Sequence, residues 1–308
     1  MLIAPFFLWG TAMVAMKGVL PVTTPLFVAG VRLVPAGVLI LLVTVLLRLP
    51  QPQTKKAWLW IGLFALLDGL MFQGFLAEGL DRTGAGLGSV MIDSQPIAIA
   101  LLSNWLFSEQ IGPWGGLGLL VGVTGISLIG LPDDWLLSWV NDTSVSLSVS
   151  VQSLFDNGEW LMLLASLSMA LGTVSIRFVS RHVHPVVATG WHMIIGGIPL
   201  FVMSGLWETQ QWTNLDSVGW LSLTYATVFG SAIAYGLFFY IASSGNLTSF
   251  TSLTFLTPVF ALIFSNLLLG EVLSSLQWVG VLFTIISIYL INQREKLNAL
   301  GKQVVENN

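Results

Sequence analysis

The segment PIAIALLSNWLFSE at residues 96–109 recurs as PVFALIFSNLLLGE at residues 258–271. Both copies begin with proline, carry a Ser-Asn pair at the same place and end with glutamate. The copies lie 162 residues apart in a chain of 308, so each belongs to a different half of the chain. Self-similarity at a fixed offset indicates a duplicated structural unit.

The same register extends over the rest of both halves. Towards the middle of each half the offset remains 162, and nearer its start the offset is 160. We call two residues related by these offsets repeat mates. The mates are Lys17 with Arg177, Pro25 with Pro185, Arg32 with His192, Gly37 with Gly197, Gly74 with Gly236, Gly118 with Gly280 and Glu109 with Glu271.

The composition places this duplicated unit in a membrane. The chain is 55% hydrophobic and only 8% charged, whereas soluble domains carry about 25% charged residues. A soluble fold could not cover its surface with so few charges, but lipid tails tolerate an apolar surface. Cysteine is absent, which excludes disulfides and thiol chemistry. No basic stretch precedes the first apolar segment, so no cleavable signal peptide is expected.

Ten segments are apolar enough to span a bilayer, which takes about 20 residues each. A unit of five spans is odd, so the second copy enters the membrane from the opposite side. The sequence therefore predicts an all-α integral membrane protein of about ten transmembrane helices, arranged as two inverted five-helix repeats. The predicted spans are 2–20, 26–47, 57–78, 84–107, 113–131, 160–179, 185–206, 217–241, 247–269 and 275–292.

The predicted organisation has four parts: a first repeat at 1–131, an outer loop at 132–159, a second repeat at 160–292 and a cytoplasmic tail at 293–308. Within the loop, residues 144–151 alternate between polar and apolar side chains. This alternation is typical of a short strand or an interfacial ribbon, and a flexible polar linker is the alternative.

The positive charges predict the orientation. If the N-terminus is cytoplasmic, only Lys17 and Arg82 fall on the outer side, and Arg32 lies within a span. Positive charges concentrate in cytoplasmic loops, so both termini are predicted to be cytoplasmic. The cytoplasmic set is Arg48, Lys55, Lys56, Arg177, Arg181, Arg294, Lys296 and Lys302.

The residues resemble a known family. The segments Trp9-Gly10-Thr11 and Thr83-Gly84-Ala85, together with residues 96–109, are similar to the EamA domain of the drug/metabolite transporter superfamily, and residues 257–271 are more similar still. The resemblance covers nearly the whole chain as two units. It implies ten helices, both termini inside, export or exchange of small metabolites, and a central cavity between spans three, four, eight and nine. The long loop and the acidic Asp93 depart from the family pattern.

Asp93 and Asn104 are predicted to line one polar stripe of the fourth span. They are eleven residues apart, and steps of about 100° return the helix nearly to the same face. Pro96 removes a backbone donor and loosens the helix beside Asp93. Asp93 is either a protonatable cavity carboxylate or one held by structural hydrogen bonds. We expect Asp93 to be the leading proton carrier, with Asp68 in the third span second.

Arg32 and its mate His192 are ionisable groups at membrane depth, where such groups are costly. Arg32 either anchors a substrate carboxylate with its planar guanidinium or forms an internal salt bridge with Asp93 or Glu78. His192 either titrates near neutral pH or is a hydrogen-bonded packing residue. Glu78 is predicted to lie near the outer mouth, where it is either solvated or paired with Arg82 across one helical turn.

Further candidates combine apolar surface with a polar atom, as small-molecule sites require. Gln73 and its mate Tyr235 are predicted to contribute polar groups to the cavity wall. Trp9 is interpreted either in the same way or as an aromatic side chain facing lipid. Glu109 and its mate Glu271 are expected to cap helices or pair with charges at the membrane surface as markers of the fold.

Motifs for other functions are missing from the sequence. It has no phosphate-binding Gly-Lys-Ser/Thr loop, no zinc-protease motif and no nucleophile elbow, so an enzyme, a cofactor and a metal site are not expected. The inverted repeat instead favours a secondary transporter. The inverted halves predict alternating access across the plasma membrane, and the family resemblance implies export of a small metabolite such as an amino acid. An uncoupled facilitator, an intramembrane enzyme and a non-transporting membrane protein are the alternatives.

The predicted partners follow from this interpretation. They are the small-molecule substrate, the lipid bilayer and protons as the coupling ion. A homodimer is left open. Nucleic acid is excluded as a partner, since the chain has only 11 Lys and Arg and most of them fall in the predicted cytoplasmic loops.

Overall fold

The computed structural model describes residues 1–16, 18–82, 91–131, 158–270, 272 and 274–306. Helices account for each of the ten predicted spans, and we number them in chain order. They are α1 (Ala4–Met16), α2 (Pro25–Leu46), α3 (Lys55–Phe64, Ala65–Phe72 and Gln73–Arg82), α4 (Gln95–Phe107), α5 (Gly112–Gly130), α6 (Gly158–Val179), α7 (Pro185–Trp207), α8 (Ser217–Tyr225, Ala226–Ile233 and Ala234–Ala242), α9 (Leu247–Thr251, Ser252–Phe255 and Leu256–Leu269) and α10 (Ser275–Glu306).

Eight of these helices are long and apolar enough to cross a bilayer in the described part of the chain. The two shorter ones are α1 and α4, each with 13 residues. The last helix continues to Glu306, beyond its predicted end at 292. The loop at 132–157 lies outside the described residues, and so do Lys17, the Thr83-Gly84-Ala85 turn and Glu271.

The helix ends follow from local chemistry. Proline occupies the first turn of both α2 and α7, where its missing N–H is not needed. The side chain of Thr54 accepts a hydrogen bond from the Ala57 N–H and caps α3, and the Asp216 carboxylate caps α8 in the same way. Such caps satisfy backbone donors that would otherwise remain unpaired at a helix start.

Helices α2 and α7 are repeat mates that pack against each other through glycines. Gly37 packs against Ile194, and its mate Gly197 packs against Val34, which is the mate of Ile194. A contact that recurs with its two partners exchanged is the signature of a two-fold axis. The two repeats are therefore related by a pseudo-two-fold axis that passes between α2 and α7.

Helices α5 and α10 show the same reciprocity. Gly118 packs against Ile291, while its mate Gly280 packs against Ile129, the mate of Ile291. Glycine at these positions lets the two backbones approach closely, as is common between membrane helices. The repeat that was predicted from sequence offsets is thus confirmed by contacts at two separate helix pairs.

Four helices depart from regular α-geometry at matched places. Helices α3 and α8 contain π-helical turns at Ala65–Phe72 and Ala226–Ile233. In the fourth span residues 91–93 are helical and the chain turns at Ser94 before α4 begins, and α9 changes to a 3₁₀ turn at Ser252–Phe255. π-Helical turns and discontinuous membrane helices are frequent at binding sites.

The chain reverses direction at each span, which fixes which loops share an end of the bundle. We call the end that holds the α1–α2 connection the Pro25 end. The opposite end, which holds the α4–α5 connection and both termini, is the Glu109 end. These names carry no assignment to a side of the membrane.

Candidate functional site

The centre of the site is a hydrogen bond between two repeat mates. The Gln73 amide donates to the Tyr235 hydroxyl over 2.8 Å, and both side chains are buried. Two mates can touch each other only where the pseudo-two-fold axis passes. The pair therefore marks the axis inside the bundle, where the two repeats meet in α3 and α8.

A cavity opens between Gln73 and the Pro25 end of the bundle. Its volume is about 250 Å³, slightly below the range of about 300–1,000 Å³ that is usual for ligand pockets. We call it the vestibule. It is lined by Leu20, Pro21, Pro25, Val28, Ala29, Arg32, Gln73, Leu76 and Ala77.

Arg32 is the charged group in the vestibule wall. Its Nη2 lies 3.4 Å from the Ser231 hydroxyl oxygen, which is a long hydrogen bond, and its Nε is buried without a partner. The salt bridge to Asp93 or Glu78 is not formed within the described residues, because Glu78 pairs instead with Arg82 at 2.7 Å. The predicted Glu78–Arg82 pair is thus confirmed, and among the described residues Arg32 contacts Ser231 and not a carboxylate.

His192 is paired with Asp68. Its Nε2 lies 3.1 Å from Oδ2 of Asp68, and both side chains are 1% exposed. Phe64 stacks on the imidazole with ring centroids 4.0 Å apart, and Phe239 packs edge-on at 5.6 Å. His192 and Asp68 therefore lie in an enclosed aromatic environment, although Asp68 is within electrostatic range of Tyr235.

Asp93 and Asn104 differ in burial. Asp93 is 4% exposed, and its carboxylate has no hydrogen-bonding partner in the part of the chain that the structure describes. Asn104 is exposed, and its amide donates to the Glu109 carbonyl over 2.8 Å. The predicted stripe requires one regular helix, and the chain turns at Ser94 between the two residues.

Trp9 lies inside the bundle and not in an aromatic belt. Its indole packs against Tyr235 at 5.1 Å and against Phe238 at 5.0 Å between ring centroids. The indole Nε1 is buried, with no hydrogen-bonding partner among the described residues. Because an orphaned donor is costly in a membrane interior, Trp9 is placed to donate a hydrogen bond to a bound molecule or water.

The Glu109 end of the bundle is closed by a carboxylate that caps α9. Glu109 accepts hydrogen bonds from the backbone N–H groups of Leu247 and Thr248 at 2.9 and 3.0 Å, and from the Thr248 hydroxyl at 2.8 Å. Arg177 forms an ion pair with it at 3.0 Å. Burial raises the pKa of Glu109, but these hydrogen bonds and the Arg177 charge outweigh burial, so its pKa lies below the usual value. The expectation that Glu109 caps or pairs is confirmed.

A second residue joins helices at the same end. The Arg294 guanidinium of α10 donates to the Ser249 hydroxyl at 2.7 Å, to the Asn246 side chain at 3.0 Å and to the Gln110 carbonyl at 2.9 Å. It is 2% exposed despite its charge. We call Glu109, Arg177, Thr248 and Arg294 the seal, because together they join α4, α6, α9 and α10.

The Pro25 end has a cap of its own. Glu208, which follows α7, accepts hydrogen bonds from the N–H groups of Leu26 and Phe27 at 2.8 and 3.0 Å and from the Thr24 hydroxyl at 2.7 Å. This cap joins α7 to α2 beside the vestibule without filling it. The Glu208 cap therefore joins two helices that are repeat mates of each other, whereas the seal joins four helices.

Sequence reasoning missed three of these residues. Glu208 could have been found as a carboxylate beside the Pro25 helix start, because helix N-termini attract carboxylates. In the sequence, Arg294 was only one of the eight positive charges that predict the orientation. Ser231 carried no signal, because a serine in an apolar span is common and its role depends on the distant Arg32.

The chain is similar to known membrane proteins over nearly its whole length. The EamA-like transporter family model matches residues 1–131 and 156–293. A Synechocystis sp. protein named "Uncharacterized transporter sll0355" is 68% identical over 96% of this chain and 90% of its own length. The Arabidopsis thaliana "WAT1-related protein At3g02690, chloroplastic" is 50% identical over 94% of this chain and 68% of its own length.

A solved crystal structure has a similar fold. It superimposes with a TM-score of 0.76 at 14% sequence identity, and the match covers 94% of this chain and 96% of the other. At this identity the likeness concerns the arrangement of the helices and not their ligands. It agrees with the ten-helix, two-repeat architecture described above.

Proposed function

This chain belongs to the EamA-like transporter family, and from that premise we propose that it moves a small organic metabolite across the plasma membrane by alternating access. The observation that carries the proposal is the contrast between the two ends of the bundle. A vestibule reaches from the Pro25 end to the Gln73–Tyr235 pair on the two-fold axis, while the seal closes the Glu109 end. Inverted halves can exchange such conformations.

The proposed orientation places the Pro25 end outside and both termini in the cytoplasm. The seal would then face the cytoplasm, and the protein would be in an outward-open state. The excess of Lys and Arg at the Glu109 end supports this orientation. Export is the proposed direction, on the strength of the family resemblance. The named transporters among the relatives support the transport function itself.

The proposed coupling ion is the proton, carried by Asp93. Asp93 lies at the break in the fourth span, is 4% exposed and has no hydrogen-bonding partner among the described residues. Asp68 is the weaker candidate because its carboxylate is tied to His192. In proteoliposomes with an imposed pH gradient, Asp93→Asn should abolish gradient-driven accumulation but leave exchange intact. Full accumulation by Asp93→Asn would show that this carboxylate is not the carrier.

Counterflow tests the transport function directly. Proteoliposomes are preloaded with one metabolite from a panel of amino acids and carboxylates, and entry of the same labelled compound is followed. An alternating-access carrier gives transient accumulation of label without any ion gradient, because the unlabelled compound inside competes with the label for the inward-facing site and so slows its exit. Entry that never exceeds that of protein-free liposomes for any compound would contradict the proposal. Counterflow without a response to pH would favour the uncoupled facilitator.

A further inference from the structure

The guanidinium of Arg32 has more hydrogen-bonding capacity than the chain satisfies. A guanidinium has five N–H donors and keeps its positive charge in proteins. The described contacts use one donor, in the 3.4 Å bond to Ser231, and leave Nε buried without a partner. An arginine at membrane depth is expensive unless it is paired. This cost indicates that a group from outside the chain completes its coordination.

Neither Asp68 nor Glu78 is paired with Arg32. Asp68 is bound to His192 at 3.1 Å, and Glu78 is bound to Arg82 at 2.7 Å. Within the residues that the structure describes, no carboxylate oxygen lies within 4.0 Å of Arg32, since the ion pairs found there involve Arg82, Arg177 and His192 instead. The vestibule thus has an uncompensated positive charge.

The rest of the vestibule is apolar and small. Apart from Arg32 and Gln73, its wall consists of aliphatic side chains and prolines from the α1–α2 connection, α2 and α3. Such a wall accommodates a compact hydrocarbon body. None of its residues is an acid that could receive an ammonium group.

We propose that the vestibule is a binding site for small organic carboxylates with a net negative charge, whose carboxylate Arg32 holds as a planar fork while the hydrocarbon part lies against Val28, Ala29 and Leu76. Guanidinium and carboxylate match in a bidentate geometry. A zwitterion of the same shape binds less well, because its ammonium group finds no carboxylate in the vestibule wall. This inference rests on the proposed function and narrows its substrate class.

Binding to the purified full-length protein in detergent tests the inference with matched probes. The probes are 4-methylpentanoate, its neutral amide 4-methylpentanamide and the zwitterion leucine, with phenylacetate and phenylacetamide as a second pair. Each acid should bind at least about tenfold more tightly than its amide, since a charge-assisted hydrogen bond is lost in the amide. Leucine should bind more weakly than 4-methylpentanoate.

Variants assign the effect to Arg32. Arg32→Gln should weaken acid binding about tenfold or more, and Arg32→Lys should restore part of it, because it keeps the charge but loses the fork. Arg82→Gln is the matched control, since Arg82 is exposed and paired with Glu78 outside the vestibule. Arg32→Gln should also raise the melting temperature of the ligand-free protein, since it removes an unpaired charge. A purely structural arginine would lower it.

The outcomes separate this inference from the proposed function. Acids and amides that bind equally, acid binding that survives in Arg32→Gln, or no acid binding at all would each overturn the carboxylate site. Counterflow of any other metabolite in the same preparation would leave the transport function standing. Absence of counterflow together with Arg32-dependent acid binding would overturn the transport function and leave the site.

Discussion

The vestibule and the region formed by its repeat mates occupy equivalent places in the two halves, but different side chains line them. The vestibule residues Arg32, Leu76 and Ala77 have His192, Phe238 and Phe239 as mates, and we call these three mates the plug. The plug side chains are at most 1% exposed. One half therefore presents an open charged cavity, and the other presents packed rings in the same position.

This contrast has two physical sources. One is conformational, because the seal holds α9 against α4 and α6 beside the plug, while the Glu208 cap leaves the vestibule open. The other is chemical, because an alanine in the first repeat corresponds to a phenylalanine in the second. The plug must therefore move aside as a unit if the site is to open towards the Glu109 end. The π-helical turn in α8 precedes Phe238 and Phe239 and provides a place where the helix can adjust.

The largest expected effect comes from making the vestibule resemble the plug. Ala77→Phe places a ring in the cavity, as in its mate Phe239. Overpacking of this kind costs about 1–3 kcal/mol, or roughly 5- to 150-fold in ligand affinity. Ligand binding and counterflow should fall by about that factor, while the thermal stability of the ligand-free protein changes little.

The control for this substitution is Leu59→Phe, since Leu59 is 74% exposed on α3 and should tolerate a ring in lipid. Counterflow that is equally strong in the Ala77→Phe variant and in the parent protein would show that the substrate does not pass through the vestibule.

A smaller effect is expected from protonating the seal. The pKa of Glu109 lies below its usual value of 4.5, so its contribution to stability is complete above pH 4.5 and is lost as the pH falls through the lower native value. Glu109→Gln should be less stable than the parent by about 1–2 kcal/mol near pH 6. This difference should shrink below pH 4.5.

Thermal melting in detergent between pH 7 and pH 3.5 measures this difference, and other carboxylates cancel when parent and variant are compared. Glu208→Gln is the matched control at the other end. A parent-minus-variant difference that stays constant down to pH 3.5 would mean that the Glu109 carboxylate does not stabilise the closed end.

The smallest effect is expected at Asn104, which was predicted to line the cavity. Because it is exposed and only donates to the Glu109 carbonyl, Asn104→Ala should change stability by no more than about 0.5 kcal/mol. Counterflow rates of the variant and the parent should agree within error. A loss of transport in Asn104→Ala would show that Asn104 belongs to the cavity. The vestibule and the plug would then not be the two regions whose difference matters for transport.

The sequence was sufficient for the architecture because offsets and hydropathy report on whole helices. Gly37 and Gly118 have glycine mates, and the reciprocal contacts of these glycines mark the pseudo-two-fold axis. Gln73 and Tyr235 are mates by sequence offset, and their side chains are hydrogen-bonded to each other. Burial was harder to predict. Regular helical turns place Asp93 and Asn104 on one face, but Asp93 is buried and Asn104 is exposed, with a turn at Ser94 between them.

The remaining parts of the site depend on contacts that no local pattern encodes. The pairing of Asp68 with His192 joins residues 124 positions apart, and Arg32 meets Ser231 over 199 positions. Arg32 and His192 are mates of similar chemical character, yet one faces a cavity and the other is enclosed. That difference is a property of the conformation, which the repeat itself cannot predict.

Labelling two mates in turn tests whether the vestibule and the plug region open in alternation. The chain has no cysteine, so Ala29→Cys and Thr189→Cys introduce its only two thiols and no native thiol has to be removed. Ala29 lines the vestibule, and its mate Thr189 is fully buried beside the plug. Glu109→Gln is included to speed access to position 189 by weakening the seal.

Position 189 is first labelled with a bulky maleimide from the Glu109 side, and the reaction of position 29 from the Pro25 side is then timed. Label at position 189 is expected to trap the opposite conformation and to slow the reaction at position 29 by about tenfold or more. An unchanged rate at position 29 would show that both regions can be open at once, and would contradict alternating access.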